Sequence, residues 1–406
     1  MDLVVGGGIV GLTIAWRLSR AGRAVTVVDP APGTGASHAA AGMLAPVSEV
    51  TYTEEPLLRL GVASLRRWPS FAAELAADAG LDASTARGGV DLRADGTLDV
   101  AFGADDLAAL GELADFMEKL GLPVERLTGR ECRRLEPMLA PSVRGGLLAP
   151  GDAWVDPRRV TAALLAALDR RGVPLVRARV SGLLREGGAV RGVSLDRAPG
   201  ELRGDGVVLA AGAWSAELAD VEVRPVKGQI MRLRSPEPLL RRCVRGTVHG
   251  AHVYLVPRGD GELVVGATQE ELGFDTRVTA GGLYELLRDA RELVPGVTEL
   301  EVADVVAGLR PGTPDNVPYI GPSGTPGLTL ATGHHRGGVL LAPLTAAVLL
   351  GEEPELAALC SPSRPRTGPG TGPGATTGTT SGATSGTASG AGPRPGPGSP
   401  PSRSWR

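Results

Sequence analysis

The chain is poor in aromatic residues, in lysine and in cysteine, and it has no long apolar run. Phe, Trp and Tyr make up 3% of its 406 residues, so each tyrosine that is present carries more information than usual. Lysine occurs only at Lys119 and Lys227; the other basic residues are arginines. Cys132, Cys243 and Cys360 are sparse, scattered and odd in number, which speaks against a disulfide framework and against a metal cluster. The longest apolar stretch, Val339 to Leu350, falls short of the ~18–20 residues that cross a bilayer. An apolar strand begins almost at once and runs into a glycine turn, so no secretory leader is expected. The formal net charge is −3. Five arginines of the stretch 361–406 meet no acid there, so the rest of the chain is more acidic than that figure suggests. This balance gives no reason to expect a nucleic-acid or membrane partner, and a cytoplasmic protein is the expectation.

What is present starts at residue 3. Leu3-Val4-Val5 reads as a short buried strand. Gly6-Gly7-Gly8-Ile9-Val10-Gly11 follows, which is G-x-G-x-x-G. Leu12, Ala15, Trp16 and Leu18 then recur at helical spacing up to Ala21, and Gly22 ends the helix. Ala24 to Val28 is a second apolar strand with Asp29 at its end. Strand, glycine turn, helix, strand and acid make up the dinucleotide-binding unit. Gly6 allows the tight turn, Gly8 lets backbone approach a pyrophosphate, and Gly11 lets helix and strand pack closely. Ile9 and Val10 open the helix, whose free N–H groups favour phosphate. Asp29 can accept hydrogen bonds from a ribose. The motif does not choose between NAD and FAD.

That character returns twice. Gly206 to Leu209 is an apolar strand that ends in small residues, with Ala211, Gly212 and Trp214 just beyond it. Leu328 to Gly333 is another, followed by His334-His335-Arg336-Gly337-Gly338 and a helix from Val339. We therefore expect an α/β fold with a Rossmann-type cofactor domain built from three segments, 1–85, 148–222 and 306–358. Residues 86–147 and 223–305 should form an α+β substrate domain with an antiparallel sheet. Within it, Ala251–Pro257 and Leu263–Thr268 flank Arg258-Gly259-Asp260-Gly261 and read as a hairpin. Leu283 to Leu293 has helical spacing, and Glu301 to Leu309 returns as a strand. Residues 361–406 are Pro, Gly, Ser, Thr, Ala and Arg, with Trp405 near the end and no apolar periodicity, and read as a disordered tail.

Three further stretches give the chain a family resemblance. They are Gly35-Ala36-Ser37-His38-Ala39-Ala40-Ala41-Gly42-Met43-Leu44-Ala45-Pro46, then Gly308-Leu309-Arg310-Pro311-Gly312-Thr313-Pro314-Asp315 with Pro318-Tyr319-Ile320-Gly321, and Gly333-His334-His335-Arg336-Gly337-Gly338-Val339-Leu340-Leu341-Ala342-Pro343. Over about residues 1–358 the chain resembles the FAD-dependent D-amino acid oxidase superfamily, and within it the glycine oxidases of the thiamine pathway. The resemblance implies FAD held without a covalent bond, since no cysteine lies in a flavin motif. It implies flavin contacts at Ser37, Ala41, Gly42, Met43 and Val180, and at Arg336, Gly337, Gly338, Val339, Leu340 and Leu341. It implies a small amino acid as substrate, dioxygen as electron acceptor and a homo-oligomer. Sarcosine or a larger D-amino acid, a dehydrogenase on the same fold, and a flavin-holding subunit without activity are the rival readings.

In the family an arginine grips the substrate carboxylate, and Arg310 stands at that place. Arginine suits the task because its planar fork pairs with a carboxylate bidentately. Arg336 is a second carboxylate or flavin contact by the same resemblance. Tyr254 lies on the presumed substrate-domain strand; its hydroxyl either closes the site over the carboxylate or is satisfied in a core. Met43, Tyr254 and Gln269 would bound the pocket, and Gln269 is a departure, for an apolar residue is expected there. His334 and His335 are adjacent and have no carboxylate cluster beside them, so no metal site is expected.

Overall fold

The computed structural model describes residues 1–49, 51, 52, 54–82 and 89–364. The first strand is Asp2–Val5, buried on both faces. It lies inside a six-stranded sheet ordered Tyr319–Pro322, Leu328–Thr332, Gly206–Leu209, Asp2–Val5, Val25–Val28 and Leu175–Val176. All pairings are parallel except the outermost, Tyr319–Pro322 with Leu328–Thr332. Parallel strands need cover on both faces, which explains why they read as continuous apolar runs rather than alternating ones. Helices Ile9–Arg20, Glu55–Ala79, Pro157–Arg170 and Gly338–Leu349 cover one face. A three-stranded sheet of Val180–Glu186, Ala189–Leu195 and Glu201–Arg203 covers the other. Under the helices, Phe71 meets Trp16 and Trp68 edge-on with ring centres 5.3 and 5.1 Å away. Such pairs add about 0.5–1.5 kcal/mol each beyond the area they bury.

The second sheet has eight strands in the order Glu301–Gly312, Arg224–Arg234, Glu262–Gly266, Ala251–Pro257, Cys243–Val248, Thr97–Ala101, Gly145–Ala149 and Glu125–Thr128. It is antiparallel apart from the parallel pair Cys243–Val248 and Thr97–Ala101. The hairpin read from sequence is present, with Tyr254 opposite Gly266. Helix Ala280–Leu293 packs Leu286, Ala290 and Leu293 onto this sheet.

Three boundaries differ from the sequence reading. Strand Glu301–Gly312 pairs with Arg224–Arg234 along its whole length, so a domain break at 306 would cut one ladder. Strand Gly145–Ala149 likewise runs across the break drawn at 147. Hydropathy does not mark these points, because the strands stay apolar as they pass from one layer toward the other. The tail begins later than 361. Arg364 donates to Asp315 at 2.8 Å, lies 4.6 Å from the Tyr319 ring centre and is 7% exposed. One arginine that finds a half-buried acid anchors the residues up to 364, and composition cannot register that. Residues 365–406 of the expected tail lie outside the described residues. Among the described residues no helix is long and apolar enough to cross a membrane.

Candidate functional site

A cavity of about 920 Å³ lies where the C-terminal ends of the parallel strands face the eight-stranded sheet. Open α/β sheets bind ligands at that end. Gly6 has φ +113°, and a Cβ there would stand 2.2 Å from the Ala210 carbonyl oxygen. A Cβ on Gly11 would stand 2.0 Å from the Gly6 oxygen, so Gly11 serves the packing of helix on turn and does not line the cavity. Gly8, Ile9 and Val10 line it directly. The Ile9 N–H donates to Ser37 Oγ at 2.9 Å. Asp29 accepts from the Gly7 and Ala31 N–H groups, both at 2.7 Å, which fixes its carboxylate on the cavity wall. Val180, Ala211, Gly212 and Trp214 close the same end. Glycine backbone, a helix N-terminus and a held carboxylate in one elongated cavity fit a dinucleotide.

The alanine-rich loop forms the middle of the wall, with Ser37, Ala41, Gly42 and Met43 on the cavity. Two buried arginines that sequence reasoning passed over hold it. Arg258 is 2% exposed and donates to the carbonyls of Val155, at 2.8 Å, and Ala41. Arg232 is fully buried, pairs with Glu262 at 2.5 Å and reaches the Ala40 carbonyl at 3.3 Å. Met43 Sδ touches Cys243 Sγ at 3.5 Å. Burial pushes the Cys243 thiol up to about 12 and those of Cys132 and Cys360 to about 11, and none of the three lines the cavity.

At the other end stand Arg310 and Tyr254. Arg310 Nη1 donates to the carbonyls of Thr268, at 3.2 Å, and Lys227, at 3.4 Å. Its guanidinium lies on Gly228, where a Cβ would come within 2.3 Å of Nη1. Tyr254 lies on Gly266 in the same way, with 2.5 Å to a Cβ there. Burial raises the Tyr254 pKa; the charge of Arg310 and a hydrogen bond from it act in the opposite sense. Register continues the wall from Gly266 through Tyr254 and Arg245 to Asp99 across four strands. Arg245 pairs with Asp99 at 3.2 Å, and His252 lines the cavity two residues before Tyr254. Burial, and then the charge of Arg245, keep His252 below the usual histidine range. The His252-x-Tyr254 spacing places both side chains on one face of a strand, a signal the sequence offered. Gln269 lines the cavity and is exposed to it.

The segment before the last helix divides between two spaces. Arg336, Gly338 and Val339 line the large cavity. Gly337, Leu340 and Leu341, expected there too, line a separate pocket of about 30 Å³. The Gly337 N–H is spent on the His334 carbonyl at 2.8 Å, in a 3₁₀ turn that rotates it away. Arg336 also borders that small pocket and pairs with Glu54 at 2.5 Å. Burial pushes the Glu54 carboxyl up, but Arg336 and a hydrogen bond from Asn316 outweigh it and hold the pKa below the usual range. His334 is buried against Thr345 at 2.9 Å, and burial alone pulls its pKa down to about 3. His335 is drawn down to about 4 by burial first and then by Arg336 and Arg310. Both rings are neutral at ordinary pH. Among the described residues no cluster of three His, Cys, Asp or Glu side chains could hold a metal. The arrangement can hold a dinucleotide and present a cationic fork and a phenol to a small carboxylate beside it.

Comparison with known proteins gives consistent matches. The family description FAD dependent oxidoreductase (DAO) matches residues 3–350. The bifunctional protein ThiO/ThiG of Nostoc sp. is 34% identical over 357 residues, which are 86% of this chain and 51% of that protein. The chain thus spans about half the length of this relative. The glycine oxidase of Geobacillus kaustophilus is 35% identical over 354 residues, 85% of this chain and 90% of that one. Its crystal structure superposes with a TM-score of 0.81 at 33% identity, covering 90% of this chain and 99% of the other. An iminodiacetate oxidase from Chelativorans sp. BNC1 gives 0.76 at 27% identity, covering 86% and 94%.

Proposed function

The chain belongs to the FAD dependent oxidoreductase (DAO) family, and on that premise we propose that it oxidises glycine, with dioxygen as acceptor, to the imine and hence to glyoxylate, ammonia and hydrogen peroxide. The imine would also serve thiazole formation in thiamine biosynthesis, a reading supported by the ThiO/ThiG relatives. The observation that carries the substrate is the Arg310 fork laid on Gly228 beside the Tyr254 hydroxyl, at the end of the cavity away from the glycine turn.

FAD, when bound, supplies a two-electron acceptor that dioxygen can reoxidise. Gly6 to Val10, Asp29, Ser37, Ala41 to Met43, Val180 and Ala211 to Trp214 would hold it. Arg310 takes the substrate carboxylate, with Tyr254 donating its phenol proton to the same group. Two fixed donors leave the small amino acid little rotational freedom, which is how positioning lowers the barrier. Arg336 is committed to Glu54 and contributes positive charge near the cavity rather than a free fork. Met43 and Gln269 bound the space left for a side chain. One extra methyl costs only ~1–3 kcal/mol of discrimination, so sarcosine and D-alanine should follow glycine rather than be excluded.

The test is anaerobic stopped-flow reduction of the purified yellow protein by glycine, sarcosine, D-alanine, D-proline and L-alanine, with peroxide measured in air. Glycine should bleach the flavin and yield peroxide without added NAD, and L-alanine should not. Fast reduction by D-proline with none by glycine would transfer the assignment to a D-amino acid oxidase. Reduction by glycine without peroxide would transfer it to a dehydrogenase.

A further inference from the structure

Arg310 rests on two backbone carbonyls, and the structure shows what holds them. Gly228 and Ile230 face the cavity, so Lys227 and Gln229 face the opposite side of the same strand. Both are fully buried. Lys227 exchanges backbone hydrogen bonds with Glu270, at 2.9 and 3.0 Å, and its Nζ lies 3.1 Å from Glu270 Oε2. The other carboxylate oxygen, Oε1, accepts from Gln229 Nε2 at 2.8 Å and from the Thr268 hydroxyl at 2.6 Å. That hydroxyl in turn accepts from the Gln229 N–H at 2.8 Å. The Gln229 amide then ties to Thr279, the N-cap of helix Ala280–Leu293, through Nε2 at 3.0 Å and through the Thr279 N–H at 2.8 Å. Burial pushes the Glu270 carboxyl up, but the hydrogen bonds from Thr268 and Gln229 and the charge of Lys227 outweigh it and keep its pKa below the usual range.

We propose that the Lys227–Glu270 ion pair, with Gln229 and Thr268, is a positioning device for Arg310: it fixes the Lys227 and Thr268 carbonyls from behind the sheet and so sets the direction of the guanidinium toward the substrate carboxylate. This rests on the reading of Arg310 as the carboxylate anchor. A fully buried lysine is costly in a fold whose other basic residues are nearly all arginine. Apolar residues of similar size would serve stability at least as well. What they could not do is clamp residues 268–270, which continue past the last strand pair at Gly266 through the bridge to Lys227 and a bond from the Thr268 N–H to the Gln229 carbonyl at 3.3 Å. Gln269, between the clamped residues, is carried to the cavity rim by the same device. Lys227, Gln229 and Glu270 do not line the cavity; Thr268 does, but its hydroxyl donates to Glu270, and all four act through Arg310.

The test uses flavin-loaded full-length protein and acetate, which offers a carboxylate and no amine, read by its perturbation of the flavin spectrum. Glu270→Ala and Lys227→Met should weaken acetate at least fivefold and raise the glycine KM to match, with kcat within twofold and flavin content unchanged. The double variant Lys227→Met/Glu270→Leu removes the unpaired buried charge. It should regain thermal stability but not acetate affinity. Thr268→Val leaves both charges paired and cuts only the hydroxyl bridge; it should weaken acetate two- to fivefold, and it decides the matter if the charge variants do not fold. Wild-type acetate affinity in any folded variant of this set overturns the proposal. So does a double variant that regains affinity along with stability. Arg310→Ala is the control that separates the two layers. If it too binds acetate like the wild type, the anchor reading fails first and the positioning role falls with it.

Discussion

At the scale of single residues, the site depends on side chains whose neighbours are empty space. Arg310 and Tyr254 lie flat only because residues 228 and 266 have no Cβ. Arg310→Ala should keep its flavin and lose about 2–5 kcal/mol of substrate binding, the scale for removing one partner of a buried charge pair. Arg310→Lys should recover only part, since an ammonium cannot reproduce the planar fork. Titration with glycine in a stopped-flow instrument measures both, and unchanged apparent affinity in Arg310→Ala would place the anchor elsewhere. His334 gives a pH prediction. Its folded pKa, about 3, lies below the ordinary histidine value of 6.5. A depressed pKa stabilises the fold above the unfolded value, and that stability is lost as pH falls toward the folded value. Between pH 7 and pH 5 this one ring should cost about 2 kcal/mol. Urea unfolding of His334→Gln should show a shallower loss over the same interval; an equal loss would mean that other groups carry the acid sensitivity.

At the scale of elements, the cofactor end was legible and much of the substrate end was not. The glycine turn, its helix and Asp29 form a local pattern with a period, and the hairpin around Tyr254 has one too. Gly6→Ala tests the turn. Its Cβ would lie 2.2 Å from the Ala210 oxygen at a φ of +113°. The variant should be purified with little flavin, and a fully yellow Gly6→Ala protein would show that the turn can shift. Arg310 and Tyr254 could be singled out because motif and scarcity marked them. Arg232 and Arg258 could not, because forty arginines look alike until a fold shows which ones are buried. Asp99 and Arg245 were invisible for a different reason: a cross-sheet row is a matter of register between strands almost 150 residues apart, which no local window contains. Gly337, Leu340 and Leu341 show a different limit: a continuous motif suggests one surface, and a 3₁₀ turn divides it between two pockets.

At the scale of the whole molecule, Arg364 decides where the chain can be cut. A protein ending after Arg364 keeps the bond to Asp315 and should match full-length protein in flavin content and turnover. One ending at Cys360 removes the ion-pair partner of the half-buried Asp315 and should lose about 1–3 kcal/mol in stability. Equal melting temperatures for the two would show that Asp315 finds another donor. The order of the parallel sheet has a consequence in time. Asp2–Val5 waits for Gly206–Leu209, which waits for Leu328–Thr332. A ribosome adding about 5–20 residues per second leaves the first strand short of a neighbour for roughly 10–40 s, and the third segment comes later still. For that time the glycine turn exists without the walls that complete its cavity. The nucleotide is therefore a late arrival in the life of each copy. It can trap the finished fold, but the segments that wall its cavity must be made first.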